Sequence, residues 1–361
     1  MRFWDISEND DVQVFEEHNA EITQDVTVSP DGTKAISTGI FAADEADNEA
    51  ILWDTSTLEV IQRLPGFYSR AQFLPDGRTA VLSGNANGND VDNGQLLLVH
   101  WDLESGEVIN WVTDADIQDG YALDLSPDGT SVFVVAWATH MHQYDIDTFT
   151  KIQSYPLPRD EEWLVSVDVF PDGKIVLAGG DLGDIILFDV PTGEELRRYN
   201  QGSVTWGLDI SDDGQHFLSA ASDGSLMLWD VASGEVLRTF SGHTEGLESG
   251  VFTPDESQLV SGSADGTLIL WDVATGEALR NFNEHGETVS KVAVSPDGEL
   301  AYSTGYDGQV FVRPIGEQPV DEILAYINEN RVLREFTCEE RRQYRILPLC
   351  DENGVVHEDS N

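Results

Sequence analysis

The sequence is poor in basic residues relative to acidic ones. It has 19 Lys and Arg against 67 Asp and Glu, which gives a formal net charge of −48. Nucleic acids and anionic membranes both bind proteins through clusters of Lys and Arg, so the composition excludes these two classes of partner. An acidic surface instead attracts basic partners at low salt.

Long apolar segments and cysteines are also scarce. No apolar run approaches the roughly 20 residues that a membrane helix requires, and the first residues lack the apolar segment of a signal peptide. We therefore expect a cytoplasmic protein. The two cysteines, Cys338 and Cys350, lie close to the C-terminus, so no disulfide framework holds the rest of the chain. Whether these two cysteines pair stays open.

A four-residue turn signature recurs seven times along the chain. Its usual form is Ser-Pro-Asp-Gly, in which Pro presets φ, Asp caps the turn and Gly accepts a positive φ. The copies are 41 to 52 residues apart. They begin at Ser29, Leu74, Ser126, Phe170, Ser211, Thr253 and Ser295. The copy at Thr253 has Glu256 in place of Gly, and we expect strain there.

Each turn is accompanied by four short apolar segments. After the sixth turn these are residues 258–263, 267–272 and 278–282, separated by glycine-containing turns. Four short strands repeated at this interval are typical of a β-propeller blade. Stacked helices are excluded because residues 20–316 sustain no 3.6-residue apolar period. The sequence predicts an all-β, seven-bladed propeller of four-stranded blades, closed by residues 12–16 as the outer strand of the last blade.

The repeats resemble those of WD-repeat proteins over residues 1 to about 316. The Trp-Asp dipeptide occurs at residues 4–5, 53–54, 101–102, 229–230 and 271–272. It is replaced by Tyr-Asp at residues 144–145 and by Phe-Asp at residues 188–189. In the sixth repeat, the resemblance implies a structural hydrogen-bond network of His243, Ser261 or Ser263, Asp265 and Trp271. A buried Trp N–H and a buried Asp need such partners.

Three regions follow from this pattern. Residues 1–19 contain a partial blade and the closing strand, residues 20–316 the seven repeats, and residues 317–361 a helical tail. Because residues 2–5 duplicate a third strand that residues 309–312 already supply, we expect either a chain that begins inside a blade or a displaced segment. The tail resembles a helical module that follows the repeats in large bacterial WD-repeat signalling proteins.

The sequence has no local motif for phosphate binding, hydrolysis or metal binding. Residues 85–94 carry Asn and Asp at alternate positions but lack the Gly and Glu of a calcium loop, which favours a solvated loop. Three successive repeats have an aspartate two residues before the first residue of the turn signature. These residues are Asp124, Asp168 and Asp209, and we expect them to converge near the channel. We expect each to bond the neighbouring blade, with no metal and no cofactor. A cation site is the alternative.

Aromatic residues collect by register where the innermost strands begin. Phe67, Tyr121, Trp163 and Trp206 are predicted to lie on one rim of the channel, with Arg70 beside them, although such rings also pack between blades. Aromatics and Arg dominate binding hot spots. We therefore predict a non-catalytic scaffold or sensor module.

The expected partner of this module is a protein or peptide, basic in character, bound on the rim, with other domains of a larger parent chain as further partners. The alternative function is that of a channel-site enzyme, or a binder of a small molecule or metal, that uses Asp124, Asp168 and Asp209.

Overall fold

Seven four-stranded antiparallel sheets form the fold. The computed structural model describes residues 12–89, 94–114, 117, 120–136, 140–157 and 163–316. Within them, the predicted seven-bladed propeller is confirmed. The predicted strand at residues 2–5, the predicted helical tail, and Cys338 and Cys350 lie outside the described residues, as does part of the predicted solvated loop.

The strands follow the chain in order, from the innermost to the outermost of each blade. Blade 1 contains β2 (Ile22–Val28), β3 (Lys34–Ile40), β4 (Glu49–Asp54) and β5 (Val60–Pro65). Blade 2 contains β6 (Tyr68–Phe73), β7 (Thr79–Asn85), β8 (Leu96–Asp102) and β9 (Val108–Asp114). Blade 3 contains β10 (Gly120–Leu125), β11 (Ser131–Ala136), β12 (His140–Asp145) and β13 (Lys151–Pro156). Blade 4 contains β14 (Leu164–Val169), β15 (Ile175–Gly180), β16 (Asp184–Asp189) and β17 (Glu195–Asn200).

Blade 5 contains β18 (Thr205–Ile210), β19 (His216–Ala221), β20 (Leu226–Asp230) and β21 (Val236–Phe240). Blade 6 contains β22 (Leu247–Phe252), β23 (Gln258–Ser263), β24 (Leu268–Asp272) and β25 (Ala278–Phe282). Blade 7 contains β26 (Val289–Val294), β27 (Leu300–Gly305), β28 (Val310–Pro314) and β1 (Gln13–Phe15). A single 3₁₀ turn, Glu45–Asp47, is the one helical element among the described residues. No described helix has the length and apolar character that a membrane crossing requires.

Closure of the ring joins the two ends of the propeller. β1 pairs antiparallel with β28, with Val14 opposite Phe311, as the sequence predicts. The Phe15 ring stacks on Trp53 of blade 1, with the ring centroids 4.7 Å apart. The same short segment therefore completes blade 7 and packs against blade 1, which locks the first blade to the last.

Each hydrophobic core cluster lies between two neighbouring blades. In one of them Leu218 and Leu228 of blade 5 pack with Leu259 and Trp271 of blade 6. On the outer side, guanidinium groups add hydrogen bonds to the next blade. Arg238 of β21 donates to the carbonyl oxygens of Ala274 and Thr275 at 2.5 and 2.8 Å, and Arg197 of β17 makes the equivalent contact with the turn of blade 5.

The turn that lacks glycine is strained, as the sequence predicts. Glu256 has a φ of 55°, in the left-handed region that disfavours a side chain. At the equivalent position of the next blade, Gly298 has a φ of 75°. The Glu256 carboxylate offsets part of this strain by accepting a hydrogen bond from the backbone N–H of Asp212 at 2.5 Å.

Replacing Glu256 with Gly is expected to raise the free energy of unfolding by up to about 1 kcal/mol, because the strain is relieved. The matched change Gly298→Ala is expected to lower it by about 1 kcal/mol, because it introduces the same strain. Urea unfolding of both variants beside the wild type measures this. A loss of stability in Glu256→Gly would show that the Asp212 contact outweighs the strain.

Candidate functional site

A polar channel runs along the axis between the seven innermost strands. Its cavity has a volume of about 480 Å³ and is lined by residues of β2, β6, β10, β14, β18, β22 and β26. Each of these strands contains a β-bulge, since the pairing register with the second strand skips one residue near its start. A bulge re-aims the side chain that it carries. The bulge residues are Gln24, Ser69, Tyr121, Val165, Trp206, Glu248 and Ser290.

The three predicted channel carboxylates each bond the following blade. Asp124 accepts a hydrogen bond from the backbone N–H of Val169 at 2.6 Å. Asp168 accepts one from Ile210 at 2.7 Å, and Asp209 one from Phe252 at 2.7 Å. Blades 3 to 6 are thus joined by a relay of carboxylates along the channel wall, and the bridging geometry expected from the sequence is the one found.

Two further contacts extend this relay to blades 1 and 2. Asp25 of β2 accepts a hydrogen bond from the backbone N–H of Ala71 at 2.8 Å, and Gln72 donates its amide to Asp124 at 2.7 Å. Sequence reasoning missed Asp25 because it stands four residues before its turn, outside the register shared by the other three carboxylates. The polar seam therefore links six consecutive blades.

The carboxyl groups of Asp124 and Asp168 also hydrogen-bond to each other. Two carboxyl groups can share a hydrogen bond only when one of them holds a proton. Burial raises the pKa of Asp168 well above its usual range, and the charges of Asp124 and Asp209 raise it further. Burial also raises the pKa of Asp124, so the pair holds one proton where an exposed Asp pair would hold none.

Asp209 is the third member of this carboxyl row. Burial raises its pKa to about 7, against the opposing effects of the Phe252 N–H and the Lys291 ammonium. Because their oxygens face protein donors, these carboxylates are arranged for bridging. Within the described residues, no group of three or more His, Cys, Asp or Glu side chains is arranged to hold a metal ion.

The predicted rim residues differ in their accessibility. The Phe67 ring is 5% exposed and packs edge-on against Phe41 of blade 1, at 5.3 Å between ring centroids. This corrects the expectation that Phe67 presents a ring to a partner. Trp163 is 44% exposed, and Trp206 and Arg70 are partly buried and line the channel cavity. For Tyr121 the structure describes the backbone alone, at the bulge of β10.

Two residues that the sequence did not single out complete the channel mouth. Glu248 lines the cavity with Arg70. Burial raises the pKa of Glu248 above its usual range, and the Arg70 charge opposes part of this rise. Tyr306 is partly exposed and lies within electrostatic range of both. We call Arg70, Trp163, Trp206, Glu248 and Tyr306 the channel rim, since each lies at the end of the propeller where the innermost strands begin.

The side chains predicted to form a network in the sixth repeat lie together. Ser261 Oγ accepts a hydrogen bond from Trp271 Nε1 at 2.8 Å and lies 2.8 Å from His243 Nε2. His243 Nδ1 lies 3.2 Å from the Asp265 carboxylate. Burial lowers the pKa of His243, so the imidazole is neutral at pH 7. Asp265 fixes its proton on Nδ1, and Nε2 then accepts from the serine hydroxyl.

Related networks occur in two other blades. In blade 1, His18 Nε2 lies 2.7 Å from Ser37 Oγ, which accepts a hydrogen bond from Trp53 Nε1 at 3.1 Å. Burial lowers the pKa of His18 to about 3. In blade 7 the serine and carboxylate partners of His285 are Ser303 and Asp307. There a buried Arg313 takes the position of the tryptophan, stacks over Phe282 at 4.3 Å and pairs with Glu284.

Comparison with known proteins agrees with this architecture. The family model described as "WD domain, G-beta repeat" matches residues 193–230, 234–272 and 276–312, which cover parts of blades 4 to 7. These three segments are WD repeats. The matched repeats include the sixth-repeat network, whose geometry is that of a structural brace between a WD tryptophan and its neighbouring strands.

Two curated relatives are plant proteins. The chain is 27% identical over 143 residues to a guanine nucleotide-binding protein subunit beta of Zea mays, a match that covers 38% of this chain and 35% of the relative. It is 26% identical over 183 residues to the same subunit of Solanum tuberosum, covering 48% and 46%. The matches thus span less than half the length of these relatives. These partial matches support a relationship of the chain to WD-repeat proteins.

Proposed function

We propose that the protein is a non-catalytic interaction scaffold that binds a basic protein or peptide on the channel rim. The observation that carries this proposal is the set of bulges on the innermost strands. One framework repeats around the channel, while the side chain re-aimed by each bulge differs from blade to blade, as the partly buried Ser69, Trp206 and Glu248 illustrate. A constant scaffold with a variable mouth suits recognition of an asymmetric partner.

The channel rim has the composition of a binding hot spot. Trp163 and Tyr306 are exposed, and Leu182 beside Trp163 is half exposed. The backbone N–H of Trp163 donates to the Asp181 carboxylate at 2.9 Å and the N–H of Asp181 donates to the Trp163 carbonyl, so the backbone of Trp163 is fixed at both its polar groups. A rigid aromatic side chain loses little entropy on binding.

Charge defines the partner class. The chain carries −48 formal charges, and such a field accelerates encounter with basic proteins at low salt. The relatives are named as subunits of a guanine nucleotide-binding protein, which supports a role within an assembly. The resemblance of the repeats and tail to bacterial signalling proteins supports a bacterial signalling assembly in the cytoplasm as the setting, together with docking to further domains.

The channel contacts support a non-catalytic role. Each of the three channel carboxyl groups uses one oxygen to accept a hydrogen bond from a backbone N–H of the next blade, at Asp124, Asp168 and Asp209. These groups therefore stabilise the ring of blades. This use as bridges between blades favours a structural role for the three carboxyl groups over that of a general acid or base.

The test is capture of partners from a lysate of the source organism at its native salt, with wild type beside Trp163→Ala and Trp206→Ala. The matched control is Leu196→Ala, which removes an apolar side chain that is 53% exposed, more than either tryptophan, from the outer strand β17. A partner retained by the wild type and the control but lost at least tenfold by both Trp variants is the expected result. A partner indifferent to both tryptophans would refute binding at the channel rim.

A further inference from the structure

Within the described residues, the outer strand of blade 2 is a sheet edge without the protection that the other outer strands have. β9 is the last strand in the order β6-β7-β8-β9, and proteins usually protect such edges with charged side chains or proline. The outer strands of blades 1, 3, 4, 5 and 6 each carry a basic residue, and two of them also end in proline. These residues are Arg63 and Pro65, Lys151 and Pro156, Arg197 and Arg198, Arg238, and Arg280. β9 has no charge before Asp114 and no proline.

A tryptophan stands on β9 where neighbouring outer strands are polar. Trp111 pairs with Val99 of β8. Val99 lies two residues before Trp101, the tryptophan of the Trp-Asp dipeptide in this blade. The residues at this register in blades 1, 3, 4, 5 and 6 are Arg63, Ser154, Arg198, Thr239 and Asn281. The short closing strand of blade 7 has Val14, which is partly buried.

The apolar surface of this edge is continuous. Trp111 is 62% exposed, the largest value among the exposed large hydrophobic residues of the described chain, and Ile109 is 52% exposed. Ile109 is the bulge residue of β9, and a bulge re-aims the side chain that it carries. Its side chain, that of Trp111 and that of Val108 are all exposed, and we take them as one apolar patch. Between them Asn110 points the other way and donates to the Asp147 carbonyl of blade 3 at 3.0 Å.

In the part of the chain that the structure describes, no strand pairs with the outer edge of β9. The N–H of Trp111 donates to the side-chain oxygen of Asn110 at 2.9 Å, a local contact that an incoming carbonyl replaces. Main-chain hydrogen bonds then supply affinity, and alternate side chains of the added strand meet the patch.

Charge indicates which strand fits. Glu104 and Glu107 are exposed at the start of β9, and the whole chain carries −48 formal charges. A second copy of the chain brings the same net charge, and its own Glu104 and Glu107 would add acidic groups to this edge. We propose that β9 is a docking edge for an extended partner segment in which apolar and basic residues alternate. This surface is separate from the channel rim and its proposal does not rest on rim binding.

The probe is a labelled ten-residue peptide of alternating Lys and Val, titrated into the full chain at about 0.15 M salt and followed by fluorescence anisotropy. Saturable binding that weakens at least tenfold in Trp111→Ser is expected. Leu196→Ser on β17 is the matched control, since its side chain is equally exposed on another outer strand, and its affinity should equal that of the wild type. A peptide of alternating Lys and Pro has the same charge but no backbone donors at proline, and should not bind saturably.

Melting temperatures verify that both Ser variants remain folded, as expected for exposed positions. Absence of saturable binding of the Lys-Val peptide to the wild type would overturn the proposal, as would equal binding by Trp111→Ser or by the Lys-Pro peptide. Sedimentation tests the other occupant: a wild-type dimer that Trp111→Ser abolishes would assign the edge to a second copy and refute a basic partner. None of these outcomes depends on partner capture by Trp163 or Trp206, so failure of either proposal is recognised separately.

Discussion

At pH 8, the Asp168→Asn variant is expected to have a free energy of unfolding about 2 kcal/mol higher than that of the wild type. The folded protein raises the pKa of Asp168 well above its ordinary value of 3.8, through burial and the charges of Asp124 and Asp209. Between pH 4 and the folded-state pKa, the native state therefore binds a proton that the unfolded chain has lost. Stability falls as the pH rises through this range, because the native state must give up that proton or keep it at increasing cost.

Asparagine reproduces the protonated form of Asp168 at every pH. Its oxygen accepts from the Ile210 N–H, which bonds Asp168 at 2.7 Å in the wild type, and its amide donates to Asp124 in place of the carboxyl proton. The variant therefore keeps both of these contacts and removes the titration. It gives up only the longer contact, at 3.0 Å, that the Val169 N–H makes with Asp168 while it bonds Asp124 at 2.6 Å. The expected advantage over the wild type is small at pH 5 and grows towards pH 8.

The neighbouring substitution is the control. Asp124 accepts from the Gln72 amide on one oxygen and from the Val169 N–H on the other. Asparagine at position 124 has one oxygen and one NH2 group, so its NH2 group must face either the Gln72 amide or the Val169 N–H, which are both donors. Asp124→Asn should therefore destabilise the protein at every pH by about 1–3 kcal/mol. Urea unfolding of the three proteins at pH 5, 6, 7 and 8, at one fixed salt concentration, gives both comparisons. If the wild type and Asp168→Asn lost stability in parallel, Asp168 would not hold the proton.

Local turn chemistry explains why the fold was predictable from the sequence. Each turn signature sets the register of the innermost strand before it and of the second strand after it, so seven copies place seven innermost strands. The strain at Glu256 followed from the same chemistry, since the missing glycine stands where the backbone needs a positive φ. The register also placed Trp206 and Asp124, Asp168 and Asp209 on the channel wall.

Burial by a neighbouring insertion was not predictable in this way. The register correctly put Phe67 just before the innermost strand of blade 2. Phe41, however, begins an insertion between β3 and β4 of blade 1 (residues 41–48) and covers the Phe67 ring. An insertion has no repeat to define its path. Asp25 was missed because it lies outside the register of the other three carboxylates. The register does give Glu248 the same place as Trp206, but its meeting with Arg70 was missed, because positions in one repeat do not reveal which residues of another repeat lie opposite.

Replacing Ser261 with Ala is expected to lower the free energy of unfolding by about 3 kcal/mol. The Ser261 hydroxyl is fully buried and serves two partners at once, since it accepts from Trp271 Nε1 and donates to His243 Nε2, each at 2.8 Å. Alanine leaves a buried indole N–H and a buried imidazole nitrogen without their partner. Both lie in a site that water cannot enter without displacing packed side chains, because Trp271 is 1% exposed.

Blade 5 provides a control with half of this network. Ser219 is equally buried and accepts from Trp229 Nε1 at 2.7 Å, and no histidine bonds its hydroxyl among the described contacts. Ser219→Ala should therefore cost about 1–2 kcal/mol, the penalty for one unpaired indole N–H. Thermal and urea unfolding of the two variants measure the difference that the histidine makes. Equal losses would mean that His243 contributes no stability through Ser261. A larger loss for Ser261→Ala would show that the His243, Ser261 and Trp271 side chains act as one unit, in which the histidine fixes the hydroxyl that the tryptophan needs.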